Sequence, residues 1–551
     1  MTGNDRKVMM YRLWGNKKGK ETGIGMSEEK VSKEEKTTSR KNSKSAIIMS
    51  YVAVAFAAIM ITAAALLILK LTFMHVLPMK YTAIFGIAIL VFGIIIIATS
   101  RKKAVAIVMS ILSLLVTGAV AYGFHTITKL DKTLNNISTD SRLEVVEMSV
   151  VVLKDDKAQT VTDISGYKVG YYDQDAASED MKTELSANLT SDVDFTGYAN
   201  PIFLADSLLK SDEEAIILNA TYIDIISEIE GYEDFADKVR VLDTLHVETE
   251  AKYDASDAMP TATNSDAKAE NAEEVTTEEP FKLSSGSDCF TVYISGIDTY
   301  GSVNTRSRSD VNILAVVNTT TGKIQLINTP RDYYVPLPIS NGSRDKLTHA
   351  GIYGIEVSEG AVGDLYGIQI DYYLRMNFTS FVTIIDELGG IDVNSDYDFD
   401  AHVESGNSRG GSTLYHISKG INHLSGIQAL GFARERYAFT IGDVQRGKNQ
   451  MEVIKGVIQK LSSKEMLTNF DSILAAISDS FQTDMPTDTM YSLVRYQLEN
   501  NLTWSVDSYT VTGYDASNTT FSMPGFYAYV MVPNEDTVNE AKQLIADTLG
   551  Q

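Results

Sequence analysis

The chain has 551 residues and a formal net charge of −24, with 72 acidic against 48 basic side chains and a single cysteine. That length allows two or three domains, and the acidic balance argues against nonspecific nucleic-acid binding. Cys289 alone leaves no intramolecular disulfide, which fits a bacterial surface protein better than a secreted receptor domain, so it reads as a small, half-buried residue opening a strand.

In chain order, residues 1–45 are polar and mostly basic and read as a disordered cytoplasmic tail. Residues 46–128 hold three apolar runs: Ala46 to Leu69, Tyr81 to Ser100 and Ala104 to Thr128. The first carries no charge and as a helix would span about 36 Å, enough for a hydrocarbon core of about 30 Å. Three transmembrane helices follow from this pattern. Orientation is set by basic flanks. Lys17, Lys18, Lys20, Arg40, Lys41 and Lys44 precede the first run, and Arg101, Lys102 and Lys103 separate the second from the third. Both groups belong in the cytoplasm, which makes the chain a multi-pass protein of the cell membrane with everything after Thr128 outside. Lys80 is the contrary charge in the outer loop.

Residues 143–250 read as a small extracellular α+β accessory domain. Its strand-like pieces include Glu147 to Leu153, Tyr167 to Tyr172 and Ala215 to Leu218, with Tyr222 to Ile229 following, and it shows no catalytic constellation. Residues 251–288 turn to Ala, Thr, Ser, Asp and Glu and read as a flexible acidic linker. Residues 289–551 are dense with α/β signals. A strand through Val292, Ile294 and Ile297 delivers Asp298, and Val311 to Asn318 with Lys323 to Asn328 forms a hairpin around Thr319-Thr320-Thr321-Gly322. Phe381, Ile384, Ile385 and Leu388 are spaced for a helix capped by Thr379 or Ser380 and stopped by Gly389-Gly390. A second helix starts near Asp443 and carries the stripe Met451, Ile454, Ile458 and Leu461. Helices therefore cover a central sheet.

Arginines gather in this last region beside carboxylates: Arg308-Ser309-Asp310, Pro330-Arg331-Asp332, Arg434-Glu435-Arg436 and Asp443-x-x-Arg446-x-x-x-Gln450. Guanidinium binds phosphate in a forked way, and interleaved carboxylates can hold a hard cation that bridges phosphate oxygens. The pattern points to a pyrophosphate site. Asp443, Arg446 and Gln450 fall at i, i+3 and i+7, largely on the side of the apolar stripe, which implies a lined cleft. The alternative makes Asp443 an N-cap and Arg446 a surface partner of Glu452 or of the preceding helix. Lys346 is either a phosphate contact or solvated, Asp332 reads as a turn or structural pair, and His349 as a packing residue. Glu435 alternates in a strand and should face away from its arginine neighbours.

Taken together, Gly296-Ile297-Asp298, Arg308-Ser309-Asp310-Val311-Asn312, Asn328-Thr329-Pro330-Arg331-Asp332-Tyr333-Tyr334-Val335, Lys346-Leu347-Thr348-His349-Ala350, Gly389-Gly390-Ile391-Asp392-Val393 and Leu424 to Arg436 resemble the LytR-CpsA-Psr family, in order over about Cys289 to Leu461. Three spans followed by an extra outer unit are similar to its streptococcal capsule-associated branch. Asp443-Val444-Gln445-Arg446 followed by Lys448-Asn449-Gln450 departs from the Asp-Phe-x-Arg and Arg-Gln often found in the family. The resemblance implies an α/β/α sandwich with a mixed central sheet over residues 289–551. It implies a Mg²⁺-dependent phosphotransferase that moves an anionic glycopolymer, capsular polysaccharide or wall teichoic acid, from undecaprenyl-pyrophosphate to peptidoglycan outside the membrane, with other wall-assembly proteins as further partners. On that reading Asp298 and Asp310 hold Mg²⁺, while Arg308, Arg331, Lys346, Arg434, Arg436, Arg446 and Gln450 clamp the pyrophosphate. Asp443 orients Arg446 or accepts the acceptor's proton. A non-catalytic lipid-pyrophosphate receptor shares the same arginines, and a transcriptional attenuator would need a cytoplasmic DNA-binding module that the tail does not offer.

Overall fold

The computed structural model describes residues 25–74, 77–137, 143–189, 193–250, 288–404, 412–440, 442–462, 480–500 and 502–550. It divides into two compact units, Met1–His125 and Thr126–Gln551. The acidic segment expected as a linker lies outside the described residues except for Asp288, as does the beginning of the expected tail.

In the first unit the helices Gly25–Phe73, Met79–Thr99 and the start of Lys103–Ile137 carry three stretches long and apolar enough to cross a membrane: Lys44–Phe73, Met79–Thr99 and Lys103–Lys129. Ala53, Ala57, Met60, Ala64 and Leu67 recur at three- and four-residue intervals and are buried. Such small residues let helix backbones approach closely. Gly93 meets Ile61 in the same way, since a Cβ there would lie 2.8 Å from Ile61 Cδ1. Two sequence expectations change. Residues 25–45 extend the first helix, because the run after Gly25 has neither proline nor glycine and is rich in Glu and Lys, which are good helix formers. The third helix runs on to Ile137, beyond the end of the apolar run at Thr128.

Among the described residues the second unit contains two large sheets and four two-stranded ones. Residues 143–250 build a five-stranded sheet in the order Asp194–Tyr198, Lys168–Tyr172, Ala215–Asn219, Leu143–Leu153, Val239–Glu250. The first three strands are parallel and the last two pair antiparallel. Ala215–Asn219 is buried throughout, as a central strand covered on both faces should be. The helices Pro201–Leu209 and Thr221–Ser227 pack on this sheet. The first is capped by Asn200, whose Oδ1 accepts from Ile202 N, and opens with Pro201 where a missing N–H costs nothing.

The other sheet has six strands in the order Gln482–Thr483, Tyr372–Met376, Cys289–Ile297, Ser309–Asn318, Lys323–Asn328, Ser505–Thr510. Its middle is the antiparallel meander expected from the sequence, with parallel strands Tyr372–Met376 and Ser505–Thr510 added on either side. One face buries Leu314, Val316 and Ile327 against the helices Ile355–Tyr366 and Glu535–Leu549. The other buries Ile313, Ala315 and Leu326 against Met451, Ile454 and Ile458 of the helix Gly442–Leu461 and Leu493 of Thr487–Asn500. This is an α/β/α sandwich with a mixed sheet. The helix Phe378–Glu387 is capped by Asn377, two residues before Thr379 and three before Ser380, the expected caps. Asn377 Oδ1 accepts from Ser380 N at 2.9 Å and Ser380 Oγ at 2.8 Å, and the stop is provided by Gly389 and Gly390 at φ 75° and 84°.

The two regions share a core. Ile202, Leu204, Ile216, Leu218, Tyr222 and Ile226 of residues 143–250 pack with Ile352, Met523 and Ala528 of residues 289–551. A buried ion-pair triad adds to this: Glu144, 1% exposed, accepts from Arg306 Nε and Arg375 Nη1, each at 2.5 Å. Removing one member of such a network leaves an uncompensated buried charge, at a cost of about 3–5 kcal/mol.

Candidate active site

Near the end of the strand Cys289–Ile297 lies Gly296, which must lack a side chain because a Cβ would lie 2.8 Å from Val311 Cγ2 on the neighbouring strand. That close pairing puts Asp298, just beyond one strand, beside Asp310, near the start of the next. Arg331 follows Lys323–Asn328, and Lys346 ends the short strand Arg344–Lys346. The helix Gly442–Leu461 approaches through Gly447, where a Cβ would overlap the Asn328 amide, and so carries Arg446 and Gln450 to the same place. Asp298, Arg308, Asp310, Arg331, Asp332, Lys346, Arg434, Arg436, Arg446 and Gln450 line one cavity of about 680 Å³. Its remaining wall is largely apolar, with Phe378, Phe381, Leu430, Val453 and Ile454 among the lining residues.

The charged groups are tightly paired. Arg331 Nη1 donates to Asp310 Oδ2 at 2.7 Å, and Thr348 Oγ1 donates to Asp310 Oδ1 at 3.0 Å. Arg308 Nη2 lies 3.3 Å from Asp298 Oδ2. Burial alone would raise the Asp310 carboxyl, but Arg331, Arg308 and Arg446 outweigh it and hold it low. Asp298 goes the other way: burial and the neighbouring Asp310 charge push it up against the pull of Arg308, Arg434 and Arg331. Like charges held together in this manner oppose joint ionisation.

Arg434 ends the helix Gly426–Arg434 and its guanidinium lies 4.3 Å from the Phe378 ring centroid, while Arg436 Nη2 donates to Tyr437 Oη at 2.8 Å. Gln450 Nε2 donates to Ala433 O at 3.4 Å. Lys346 is 3% exposed, which removes the solvated reading, and it lies 3.3 Å from Asp332 Oδ1. His349 is buried against Asp345 at 2.8 Å and Ser522 at 2.9 Å, a packing position. Glu435 departs from the expected strand. It caps a helix C-terminus and is buried, accepting from Tyr437 N, Ala438 N and His402, because Gly426–Arg434 forms a helix with a Ser425–Gln428 capping box. The side chain of Asp443 lies outside the described residues.

The sequence model of the LytR_cpsA_psr family matches residues 253–543, more than half of the chain. The chain belongs to the LytR_cpsA_psr family. It is 32% identical over 216 residues to a polyisoprenyl-teichoic acid–peptidoglycan teichoic acid transferase TagU of Bacillus cereus, a match covering 39% of this chain and 66% of that protein. A TagU of Enterococcus faecalis is 35% identical over 204 residues, covering 36% and 63%. The chain thus spans just under two thirds of the length of these curated relatives. Among solved structures, B. subtilis TagV is 25% identical with a TM-score of 0.39, covering 48% of this chain and 98% of that one. TagT bound to LI-WTA is 26% identical with a TM-score of 0.37, covering 50% and 95%.

Within this LytR_cpsA_psr member, the structure adds two site residues that lie upstream of the matched region. Glu228 lines the cavity, and Asp224 Oδ2 accepts from Arg308 Nη2 at 3.1 Å. Both come from the helix Thr221–Ser227 and its C-cap, a region in which the sequence shows no catalytic constellation. The signal that was present, acidic residues at i and i+4 on one helix face, is too common to single out without the partner arginines.

Proposed function

We propose that the chain is a membrane-anchored phosphotransferase that transfers an anionic glycopolymer from a polyprenyl-diphosphate carrier to peptidoglycan. The observation that carries this reading is a single cavity whose wall joins Arg308, Arg331, Lys346, Arg434, Arg436 and Arg446 to an apolar surface including Phe381, Leu430, Val453 and Ile454. Only an amphipathic anion uses both halves. The names of the TagU relatives support a polyisoprenyl-linked donor and a peptidoglycan acceptor.

In the reaction a sugar hydroxyl of the acceptor forms a new oxygen–phosphorus bond at the glycan-bearing phosphorus. The anhydride bond breaks, lipid monophosphate leaves with its electron pair, and the hydroxyl proton passes to a carboxylate such as Asp443 or to water. The protein's task is to hold two phosphates in line and stabilise their charge, which forked guanidiniums do in a shielded site. The arginines orient the diphosphate and the apolar wall holds the first isoprene units.

Asp298 and Asp310 fit a Mg²⁺ ion in their chemistry. Two adjacent carboxylates, Asp298 pushed up by burial and then by the neighbouring Asp310 charge, mark a place where positive charge is wanted. Among the described residues no cluster of three or more acidic, histidine or cysteine groups suits a metal, so the other ligands would be phosphate oxygens and water, the usual habit of this ion. Bound there, Mg²⁺ would neutralise charge developing on the phosphate oxygens.

The test is release of polyprenyl monophosphate by the full-length protein, given a polyprenyl-diphosphate-linked glycan and peptidoglycan fragments over a Mg²⁺ series. Donor that stays bound but is never cleaved would replace the transferase with a receptor. Release independent of Mg²⁺ would remove the metal role of Asp298 and Asp310.

A further inference from the structure

Glu228 occupies the middle of the cationic cradle. Its Oε1 accepts from Arg308 Nη1 at 3.0 Å and from Arg331 Nη2 at 2.8 Å, and its Oε2 accepts from Lys346 Nζ at 2.5 Å, with His349 Nε2 4.0 Å away. One carboxylate therefore uses both oxygens to bridge three cations, as a substrate phosphate would. Asp224, one turn earlier on the same helix, takes the second amino group of Arg308. Burial would raise the Glu228 carboxyl, yet Lys346, His349 and Arg331 hold it at about 2. The arrangement explains how buried like charges stay together: Arg308, Arg331 and Lys346 are each below 12% side-chain exposure and converge on one anion.

We propose that Glu228 is an internal substitute for a substrate phosphate, seated by the sheet of residues 143–250 in the cradle of Arg308, Arg331 and Lys346 and exchanged for phosphate when the diphosphate binds. The inference rests on the reading of the cavity as a diphosphate site. A phosphate brings more charge and more oxygens than a carboxylate, so it can win the exchange, but the tethered carboxylate competes at a high effective concentration. The competition lowers the affinity of every anion by the same factor. Small phosphates then fall below useful affinity, whereas a lipid-linked diphosphate regains binding through the apolar wall. Glu228 thereby raises the affinity an anion must have to occupy the site, the apolar wall supplies the discrimination, and the first sheet acquires a role in setting that threshold.

The experiment measures binding of radiolabelled inorganic pyrophosphate to the full-length protein in detergent, for the wild type, Glu228→Gln, Glu228→Ala and Arg331→Ala. Both Glu228 variants are expected to bind about tenfold more tightly or better, since the competing state is removed. Acetate should compete with pyrophosphate in Glu228→Ala, where the seat is vacated, far more than in the wild type. Arg331→Ala should bind more weakly. A gain in affinity is a readout that damage to the fold does not produce, and if either Glu228 variant fails to fold the other still decides. Unchanged or weaker binding in a folded Glu228 variant, with Arg331→Ala still weakened, overturns the exchange and leaves the diphosphate site standing. Absence of pyrophosphate binding in every protein overturns the diphosphate site itself, and the exchange with it.

Discussion

At the scale of single residues the site is an argument about guanidinium geometry. Arg446 lines the cavity and its charge helps hold Asp310 ionised. Arg446→Ala should lower turnover on the order of a hundredfold, or about 3 kcal/mol, the usual cost of one charge-assisted contact in a shielded site. Arg446→Lys should recover little of it, because an ammonium keeps the charge and loses the fork. Lipid monophosphate release by the two variants checks this, and near wild-type turnover in Arg446→Ala would return the residue to its alternative role as a surface partner of Glu452. Most arginines of the cradle were legible in the sequence because they sit beside carboxylates in motifs clustered within one region. Glu228 was not. A lone glutamate at a helix end becomes meaningful only when Arg308, Arg331 and Lys346, 80 to 118 positions further on, converge on it.

At the scale of elements, what positions the site is close packing and one buried charge network. Gly447 lets the helix Gly442–Leu461 lie against Asn328, whose Cγ would be 2.9 Å from an alanine Cβ. Gly447→Ala should cost about 1–3 kcal/mol of stability by overpacking. It should lower turnover further by displacing Arg446, so thermal midpoint and lipid release measured together separate the two effects. Glu144 joins the strand Leu143–Leu153 to Arg306 and Arg375 of the sandwich. Burial opposes its ionisation, but Arg375 and Arg306 bring its carboxyl below the ordinary 4.5. The stability it confers is therefore complete above about pH 4.5 and is lost as pH falls through its lowered value. Glu144→Gln should destabilise the protein at neutral pH by about 3–5 kcal/mol and flatten that acid limb; an unchanged acid limb in denaturant titrations would show that Glu144 does not link the sheets. The amphipathic helices and the Val311 to Asn328 hairpin were legible because their apolar spacing is periodic. The Glu435 turn was not, since two alternating charges mimic a strand until the Ser425–Gln428 capping box and the helix that follows claim Arg434. The core shared by the two regions was also beyond the sequence, because its partners, Ile202 and Met523 among them, are joined by no local pattern.

At the scale of the whole molecule the remaining question is which side of the membrane the cavity faces. The three candidate spans have only 28%, 22% and 22% of their residues buried, so most of their apolar surface is available to lipid. Charge asymmetry then decides the orientation. Arg40, Lys41 and Lys44 precede the first span and Arg101, Lys102 and Lys103 lie between the second and third, whereas the loop between the first and second offers Lys80. On the proposed orientation, with the first two groups in the cytoplasm, Lys129 lies outside, where peptidoglycan is found. A reporter fused after Lys103 should be cytoplasmic and one fused after Lys129 external, as read by an enzyme active on one side only. Reversing the bias, with Arg101, Lys102 and Lys103 changed to Gln and three lysines added beside Lys80, should place part of the population with the second reporter inside, and that part should have no access to wall acceptor. An internal second reporter in the unaltered chain would remove the three-span arrangement and, with it, the proposed transfer to peptidoglycan.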